Sequence, residues 1–121
     1  MQPNISYNIW FKVARPIKRK YLLSTNCTLV LNAAYVLSII LHKPFTRSQL
    51  RSFTKFWNNK QIDSYISVLI DKKYIELINS SVTGKVRYYG ITLAGISVIN
   101  DLNDSYQIEL SKFCQKYNIE L

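Results

Sequence analysis

Acidic residues are missing from the first half of this 121-residue chain. Residues 1–60 hold ten lysines and arginines and no Asp or Glu, whereas residues 61–121 hold six basic and seven acidic residues. The first half therefore carries the whole formal net charge of +9. This asymmetry is typical of a protein that presents one face to a polyanion, although a basic surface kept for solubility has the same composition.

Glycine and proline are scarce, with three of each, and 48% of the residues are hydrophobic. This composition excludes collagen-like, linker-like and disordered chains, and a chain of this length can fold as one domain without disulfides. One histidine and two cysteines are too few for a Cys/His zinc site within one chain. We interpret Cys27 and Cys114 as reduced, apolar residues rather than redox switches.

Catalytic motifs are also missing. The sequence contains no Gly-rich phosphate loop and no Ser/His/Asp constellation, so we expect no enzymatic activity, no cofactor and no metal. The apolar run at 29–41 (LVLNAAYVLSIIL) starts too far from Met1 for a signal peptide, and its thirteen residues are too few to cross a bilayer. We expect a cytoplasmic protein without a membrane partner.

Residues 1–25 mix aromatic and basic residues without a clear period, and Pro16 divides them. We interpret them as a basic N-terminal arm and assign them no secondary structure. Lys18, Arg19 and Lys20 in this arm are candidates for minor-groove or phosphate contacts with DNA. A buried helix is predicted over 28–41, with Asn26 as a candidate N-cap, and Pro44 prevents its continuation.

Two predicted helix starts with the same capping pattern follow, twelve residues apart. Thr46 with Gln49, and Asn58 with Gln61, each have the spacing of a capping box. Phe45 with Leu50, and Trp57 with Ile62, have the spacing of hydrophobic staples. The chain therefore predicts a helix over 47–54, a tight turn and a second helix over 59–72, which is the spacing of a helix-turn-helix.

The second of these helices is amphipathic. Ile62, Ile66, Leu69 and Ile70 share one face, and Lys60, Ser64 and Ser67 lie on the opposite one. A helix that enters the major groove of DNA needs such a short, polar outer face and an apolar anchor. The alternative interpretation is an ordinary surface helix.

The period then changes to that of a β-hairpin. Strands are predicted over 74–78 and 86–91, with a turn over 79–85, and Thr92 is placed to cap a last helix. If that helix runs over 93–117, it is about 37 Å long and outruns a small domain. We infer that its apolar stripe is buried by a second copy of the chain; the alternative is a break near residues 103–105. The predicted dimer interface consists of Leu102, Tyr106, Leu110, Phe113 and Tyr117.

This order of elements resembles that of a winged helix-turn-helix domain. The segment at 87–95 (RYYGITLAG) is similar to the R-x-Y-x-[IL]-T-x-x-G signature of PadR-like and MarR-like bacterial regulators, and 63–77 is similar to their recognition helix and first wing strand. The resemblance covers roughly residues 28–110. Those families often have Gly between recognition helix and strand, where this chain has Lys73-Tyr74, and the basic segment 1–25 does not map onto their sequence pattern.

The resemblance implies a homodimeric transcription regulator that binds palindromic double-stranded DNA, with repression favoured over activation, and it leaves a small-molecule effector open. We expect an α+β, mainly α fold with an arm (1–25), a winged helix-turn-helix domain (26–92) and a C-terminal dimerisation helix (93–121). The implied base contacts are Asn59, Lys60, Gln61, Ser64 and Ser67. The implied backbone or wing contacts are Arg47, Ser48, Lys55, Thr83, Lys85 and Arg87.

Two rival functions use the same fold. One is a protein-interaction module, and the other is a DNA-binding component of a replication or mobile-element system. The absence of acidic residues from the first half favours DNA over a protein partner. It does not separate a repressor from a replication or mobility factor.

Overall fold

The computed structural model describes residues 5–80 and 83–118. Residues 1–4 of the predicted arm, 81–82 of the predicted turn and 119–121 of the C-terminal segment lie outside the described residues. Five helices and three strands are described. They are α1 (Ile5–Tyr21), α2 (Thr25–Leu41), β1 (Phe45–Thr46), α3 (Arg47–Thr54), α4 (Asn59–Asp71), β2 (Ile75–Ser80), β3 (Arg87–Ile91) and α5 (Leu93–Tyr117).

Sequence analysis assigned no secondary structure to the arm, whereas residues 5–21 form α1, a helix that continues through Pro16. Ile9 and Val13 lie one helical turn apart and are buried, at 3% and 2% exposure. α1 packs against α5. A proline inside a helix removes one backbone hydrogen bond, so we attribute the continuity of α1 to this tertiary packing, which a local pattern does not reveal.

The predicted helix starts are confirmed for three helices. Thr46 and Asn58 both form complete capping boxes, and the Thr92 hydroxyl accepts a hydrogen bond from the Gly95 amide. α2, in contrast, begins three residues earlier than predicted, because the Ser24 side chain rather than Asn26 accepts from the Cys27 amide. These caps satisfy amides that a helix start otherwise leaves without partners.

The chain departs from the family pattern at the end of α4. Lys73 has a φ of 65°, in the left-handed region that glycine adopts at least cost. The position therefore has a backbone conformation that favours glycine, although the residue here is lysine. The helix itself ends at Asp71, one residue before the predicted end.

The sheet is antiparallel, with strand order β1-β3-β2. The hairpin is as predicted to within two residues at each end, and its register shifts between Leu77 and Asn79. Strand β1, which sequence analysis missed, has only two residues and pairs Phe45 with Tyr89. Two residues are too few to show an alternating pattern in the sequence.

The core surrounds α2, which buries residues on most of its sides. α5 runs without a break to Tyr117, so the alternative of a break near 103–105 is wrong. Gly95 lies where α5 meets the chain after α4, and a Cβ there would come within 2.3 Å of the Tyr74 carbonyl oxygen. The predicted α+β, mainly α fold, a winged helix-turn-helix with a long C-terminal helix, is confirmed.

Candidate nucleic-acid interface

Helix α4 presents the two faces that the sequence predicts. Ile62, Ile66 and Leu69 are buried against the core. All five predicted base-contacting residues are exposed, namely Asn59, Lys60, Gln61, Ser64 and Ser67. Asn58 caps the start of α4, and the polar face of the helix is exposed to solvent.

A groove of about 670 Å³ lies between α4, the start of α3 and the hairpin formed by β2 and β3, which we call the wing. Five of the predicted contact residues line it together, although they come from three separate parts of the sequence. They are Arg47, Ser48, Ser67, Lys85 and Arg87. Within the described part of the chain, neither Lys85 nor Arg87 has an ion-pair partner. Both cations of the wing are therefore available to an anion.

The groove also contains a carboxylate that sequence analysis did not assign. Asp63 lines the groove, and its Oδ2 atom is 2.7 Å from the Arg47 guanidinium. The sequence signal was present, because Asp63 is the first acidic residue of the chain. Its pairing joins residues 16 positions apart, which no local spacing rule predicts.

Two of the predicted base-contacting residues already make hydrogen bonds within the chain. The Gln61 Oε1 atom accepts from the Asn58 amide at 3.0 Å as part of the capping box. The Asn59 Oδ1 atom accepts from the Arg51 guanidinium at 3.0 Å. The side-chain NH2 groups of Gln61 and Asn59 still offer donors to a partner. Lys60, Ser64 and Ser67 make no such local hydrogen bond within the described residues.

Arg51 is a second residue that sequence analysis missed. Together with Ser48, Ser52, Lys55 and Trp57 it lines a shallower hollow on the other side of α3. Its spacing is a signal that could have found it, because Arg47, Arg51 and Lys55 follow at intervals of four residues, which places them on one side of a helix. The predicted contacts Ser48 and Lys55 therefore lie beside Arg51, in this second hollow.

The candidate arm residues lie elsewhere. Lys18, Arg19 and Lys20 form the last turn of α1, and none of them lines the groove or the hollow. The Lys20 ammonium donates to Asp101 of α5 at 2.8 Å, and the Tyr21 hydroxyl donates to the same carboxylate. These hydrogen bonds hold the pKa of Asp101 below its ordinary value. Lys20 therefore serves the contact between two helices of one chain.

The residues predicted at a dimer interface divide into two groups. Leu102 is only 2% exposed in the core of the chain, so its assignment to a dimer interface is wrong. Tyr106 packs partly against the same core. Leu110 and Phe113 are half-buried and Tyr117 is exposed, with the Phe113 and Tyr117 rings 4.7 Å apart. Only the part of the stripe beyond residue 106 remains open to a second chain.

Two further kinds of site are not found in the described residues. Across 5–80 and 83–118, no three His, Cys, Asp or Glu residues come together as metal ligands. None of the described helices combines the length and the hydropathy that a membrane span needs.

Comparison by sequence finds no matching protein-family model and no similar curated protein. Comparison by structure finds close similarity to solved transcription regulators. MepR of Staphylococcus aureus, solved in complex with DNA, has a TM-score of 0.74 at 12% identity, over 93% of this chain and 79% of MepR. MarR of the same organism, solved with salicylate and kanamycin, has a TM-score of 0.74 at 19% identity, over 94% of this chain and 72% of MarR.

A third similar structure comes from another bacterium. The transcriptional regulator Tm0710 of Thermotoga maritima has a TM-score of 0.70 at 13% identity, over 93% of this chain and 74% of Tm0710. At such low identities these similarities establish the fold alone. The chain has the winged-helix fold of MarR-like transcription regulators, as its sequence predicts.

Proposed function

We propose that this protein binds double-stranded DNA sequence-specifically as a homodimer and regulates transcription, as a repressor rather than an activator. The observation that carries this proposal is the groove between α4 and the wing. It places the cations of Arg47, Lys85 and Arg87 beside an exposed, polar helix face. The similarity in fold to MepR, which was solved with DNA, supports the same proposal.

In this proposal α4 lies in the major groove and the wing follows the backbone. Ser64 and Ser67 donate or accept hydrogen bonds at base edges, and Lys60 provides a cation for guanine or phosphate. Lys85 and Arg87 contact phosphates next to the major groove, and Thr83 belongs to the same wing. Arg51 and Lys55 extend the positive surface along α3 and hold the adjacent stretch of backbone.

The proposal of a homodimer rests on apolar residues in the C-terminal half of α5. Ile108 and Tyr117 are 55% and 56% exposed, and Leu110 and Phe113 are half-buried. α1 packs against α5, and Phe113 and Tyr117 line a hollow beside Ile9 of α1. All four apolar groups nevertheless keep surface in contact with water. A second copy of α5 would bury them, and a two-fold dimer would present two α4 helices to a palindromic site.

Repression is proposed over activation because it requires fewer surfaces. A bound dimer blocks access to a promoter by occupying the DNA, whereas an activator must also contact the transcription machinery. The described cations that remain outside ion pairs in the groove support DNA occupancy.

The test begins with selection of a preferred duplex from a random pool. Affinity is then measured at several salt concentrations on the preferred and on random duplexes. Ser64→Ala and Ser67→Ala should weaken the preferred duplex more than random ones, by about 1–3 kcal/mol for a good base contact. Lys85→Gln and Arg87→Gln should weaken all duplexes alike and flatten the plot of log affinity against log salt by about one unit each.

Arg15→Gln is the matched control, because it removes an exposed cation from α1, outside the groove. It should leave both affinity and salt slope close to wild type. If wild type binds no duplex even at low salt, DNA binding is the wrong function. If the two Ala variants and the two Gln variants of the wing all lose affinity equally on the preferred and on random duplexes, DNA binding stands, but the assigned base-contacting roles are wrong.

The protein-interaction module remains a second candidate because of one observation. Phe56 in the turn before α4 is 84% exposed, and Phe53 on α3 is 45% exposed. Exposed aromatic groups beside cations suit a partner with apolar and acidic groups. Failure of wild type to bind DNA would favour this candidate.

A further inference from the structure

Asp63 places a negative charge on a surface whose other charged groups attract anions. It is the first acidic residue in a chain whose first 60 residues have none, yet it lies on α4 and lines the groove with Arg47, Lys85 and Arg87. Its carboxylate is 2.7 Å from the Arg47 guanidinium. The groove that should hold phosphates therefore contains one negative charge, and one of its cations is engaged.

Stability does not explain this pair. The side chains of Arg47 and Asp63 are 43% and 50% exposed, and an ion pair so open to water contributes little to folding. The start of α3 is already held by the Thr46 capping box, and the start of α4 by that of Asn58. Neither helix start depends on the pair for its hydrogen bonds.

The pair does, however, change how the groove meets DNA. A carboxylate repels nearby phosphates, and an arginine bound to that carboxylate cannot give its full charge to the backbone. Both effects lower the affinity for every duplex, whatever its sequence. They are relieved only where a base supplies a hydrogen-bond donor to the carboxylate, and in the major groove the amino group of cytosine is such a donor for Asp.

We propose that Asp63 is a specificity-determining residue, which holds Arg47 away from phosphates on random DNA and accepts a hydrogen bond from a cytosine amino group in the preferred site. On the preferred site the carboxylate is satisfied by the base, and Arg47 is free to contact a phosphate. On other sites the carboxylate faces the DNA without a donor, which penalises binding. This inference rests on the proposed DNA-binding function.

The test compares Asp63→Asn with Asp71→Asn. Both variants remove one negative charge from an exposed position on α4, but Asp71 does not line the groove. Asp63→Asn should raise the affinity for random duplexes roughly ten-fold near 0.1 M salt and steepen the salt slope by about one unit, because one phosphate contact is gained. The preferred duplex should gain less, so that discrimination falls. Asp71→Asn should change affinity and discrimination little.

A double-mutant cycle with Arg47→Gln tests the link between the two residues. If Asp63 restrains Arg47, loss of the arginine should reduce random-duplex affinity more in the Asp63→Asn background than in wild type. A merely structural pair would change the melting temperature and leave this difference at zero. Selection from a random pool should also show a cytosine preference that wild type has and Asp63→Asn lacks.

The outcomes separate the inference from the function on which it rests. If wild type binds duplexes and the two Asn variants raise affinity equally, only total charge matters, and the inference is overturned while DNA binding stands. The same conclusion follows if Asp63→Asn retains wild-type discrimination. If wild type binds no duplex at low salt, the proposed function fails, and the inference fails with it.

Discussion

The helix pair α1–α5 and the helix-turn-helix with its wing use charge in opposite ways. Along the helix pair, cations of α1 bind carboxylates of α5, as in Lys12 with Glu109 at 3.0 Å and Lys20 with Asp101 at 2.8 Å. In the groove, one carboxylate stands against three cations. The same excess of basic residues therefore joins two helices in one region and faces outward in the other.

This comparison shows why a count of charges misleads. The two pairs follow in reverse order along the two helices, so α1 runs antiparallel to α5. Lys12 and Lys20 belong to the acid-free half of the sequence, but their partners come from the other half. A residue that lacks an acidic neighbour in sequence can thus have one in space. Net charge per half predicts the sign of a partner but does not show which cations face it.

The largest expected effect is a loss of stability at the contact between the two regions. Gly95→Ala places a Cβ against the Tyr74 carbonyl oxygen and the Ile91 side chain. We expect a loss of about 3 kcal/mol of unfolding free energy, because neither backbone nor core can shift easily. Denaturant unfolding measures it, and Ser97→Ala on the exposed side of α5 is the control. Equal stability of the two variants would contradict the close approach of α5 to Tyr74.

The next prediction concerns the proposed dimer contact in the C-terminal half of α5. Leu110→Glu should weaken the proposed dimer by about 2 kcal/mol or more, or roughly 30-fold in dissociation constant, because it places a charge in an apolar interface. Sedimentation at micromolar concentration measures the change. Ser111→Glu adds the same charge at an exposed neighbouring position and should leave the dimer intact. A wild-type protein that sediments as a monomer would refute the dimer.

A smaller effect is expected at the two capping boxes of the helix-turn-helix. Thr46→Ala and Asn58→Ala should each lower the unfolding free energy by about 0.5–2 kcal/mol, because each removes the acceptor for an amide at a helix start. Thermal unfolding measures the loss, with the exposed Ser52→Ala as a control inside α3. Unchanged melting temperatures for both cap variants would contradict the described boxes.

The smallest effect should come from acid titration of the helix pair. Hydrogen bonds from Lys20 and Tyr21 lower the pKa of Asp101, and one from Lys12 lowers the pKa of Glu109. Because these pKa values are lower in the folded chain, the stabilisation is present above the ordinary carboxyl pKa of about 4 and is lost as the pH falls below it. Both pairs are open to water, so the loss should be modest.

Unfolding followed between pH 6 and pH 2.5 measures this loss, with Asp101→Asn and Glu109→Gln as comparison variants. The difference between wild type and the double variant should shrink as the pH falls. A difference that stays constant through this range would show that the pairs do not hold α1 on α5.

The parts of the fold that were predicted depend on neighbours in sequence. The starts of α3, α4 and α5 follow from Thr46, Asn58 and Thr92, because a cap and the amide that it satisfies are three residues apart. The hairpin follows from a change of period. Each of these signals lies within a short segment, so it can be recognised without knowledge of the tertiary structure.

The candidate site was predicted only in part, for a related reason. The exposed face of α4 follows from helical spacing, and the wing cations follow from the family resemblance. The Arg47–Asp63 and Arg51–Asn59 contacts were not predicted, because each joins side chains from two helices. Asp63 changes the chemistry of the groove, yet in the sequence it is only one acidic residue on a polar helix face.

The sequence by itself determined the order of α3, α4, the wing and α5, since capping, turn chemistry and hydrophobic period are local properties. The tertiary structure alone decided that residues 5–21 are helical, because Ile9 and Val13 gain burial and Lys12 and Lys20 gain carboxylate partners only when α5 lies beside them. It also decided the composition of the groove. Residues from α3, α4 and the wing meet there because α2 and the core hold those elements together.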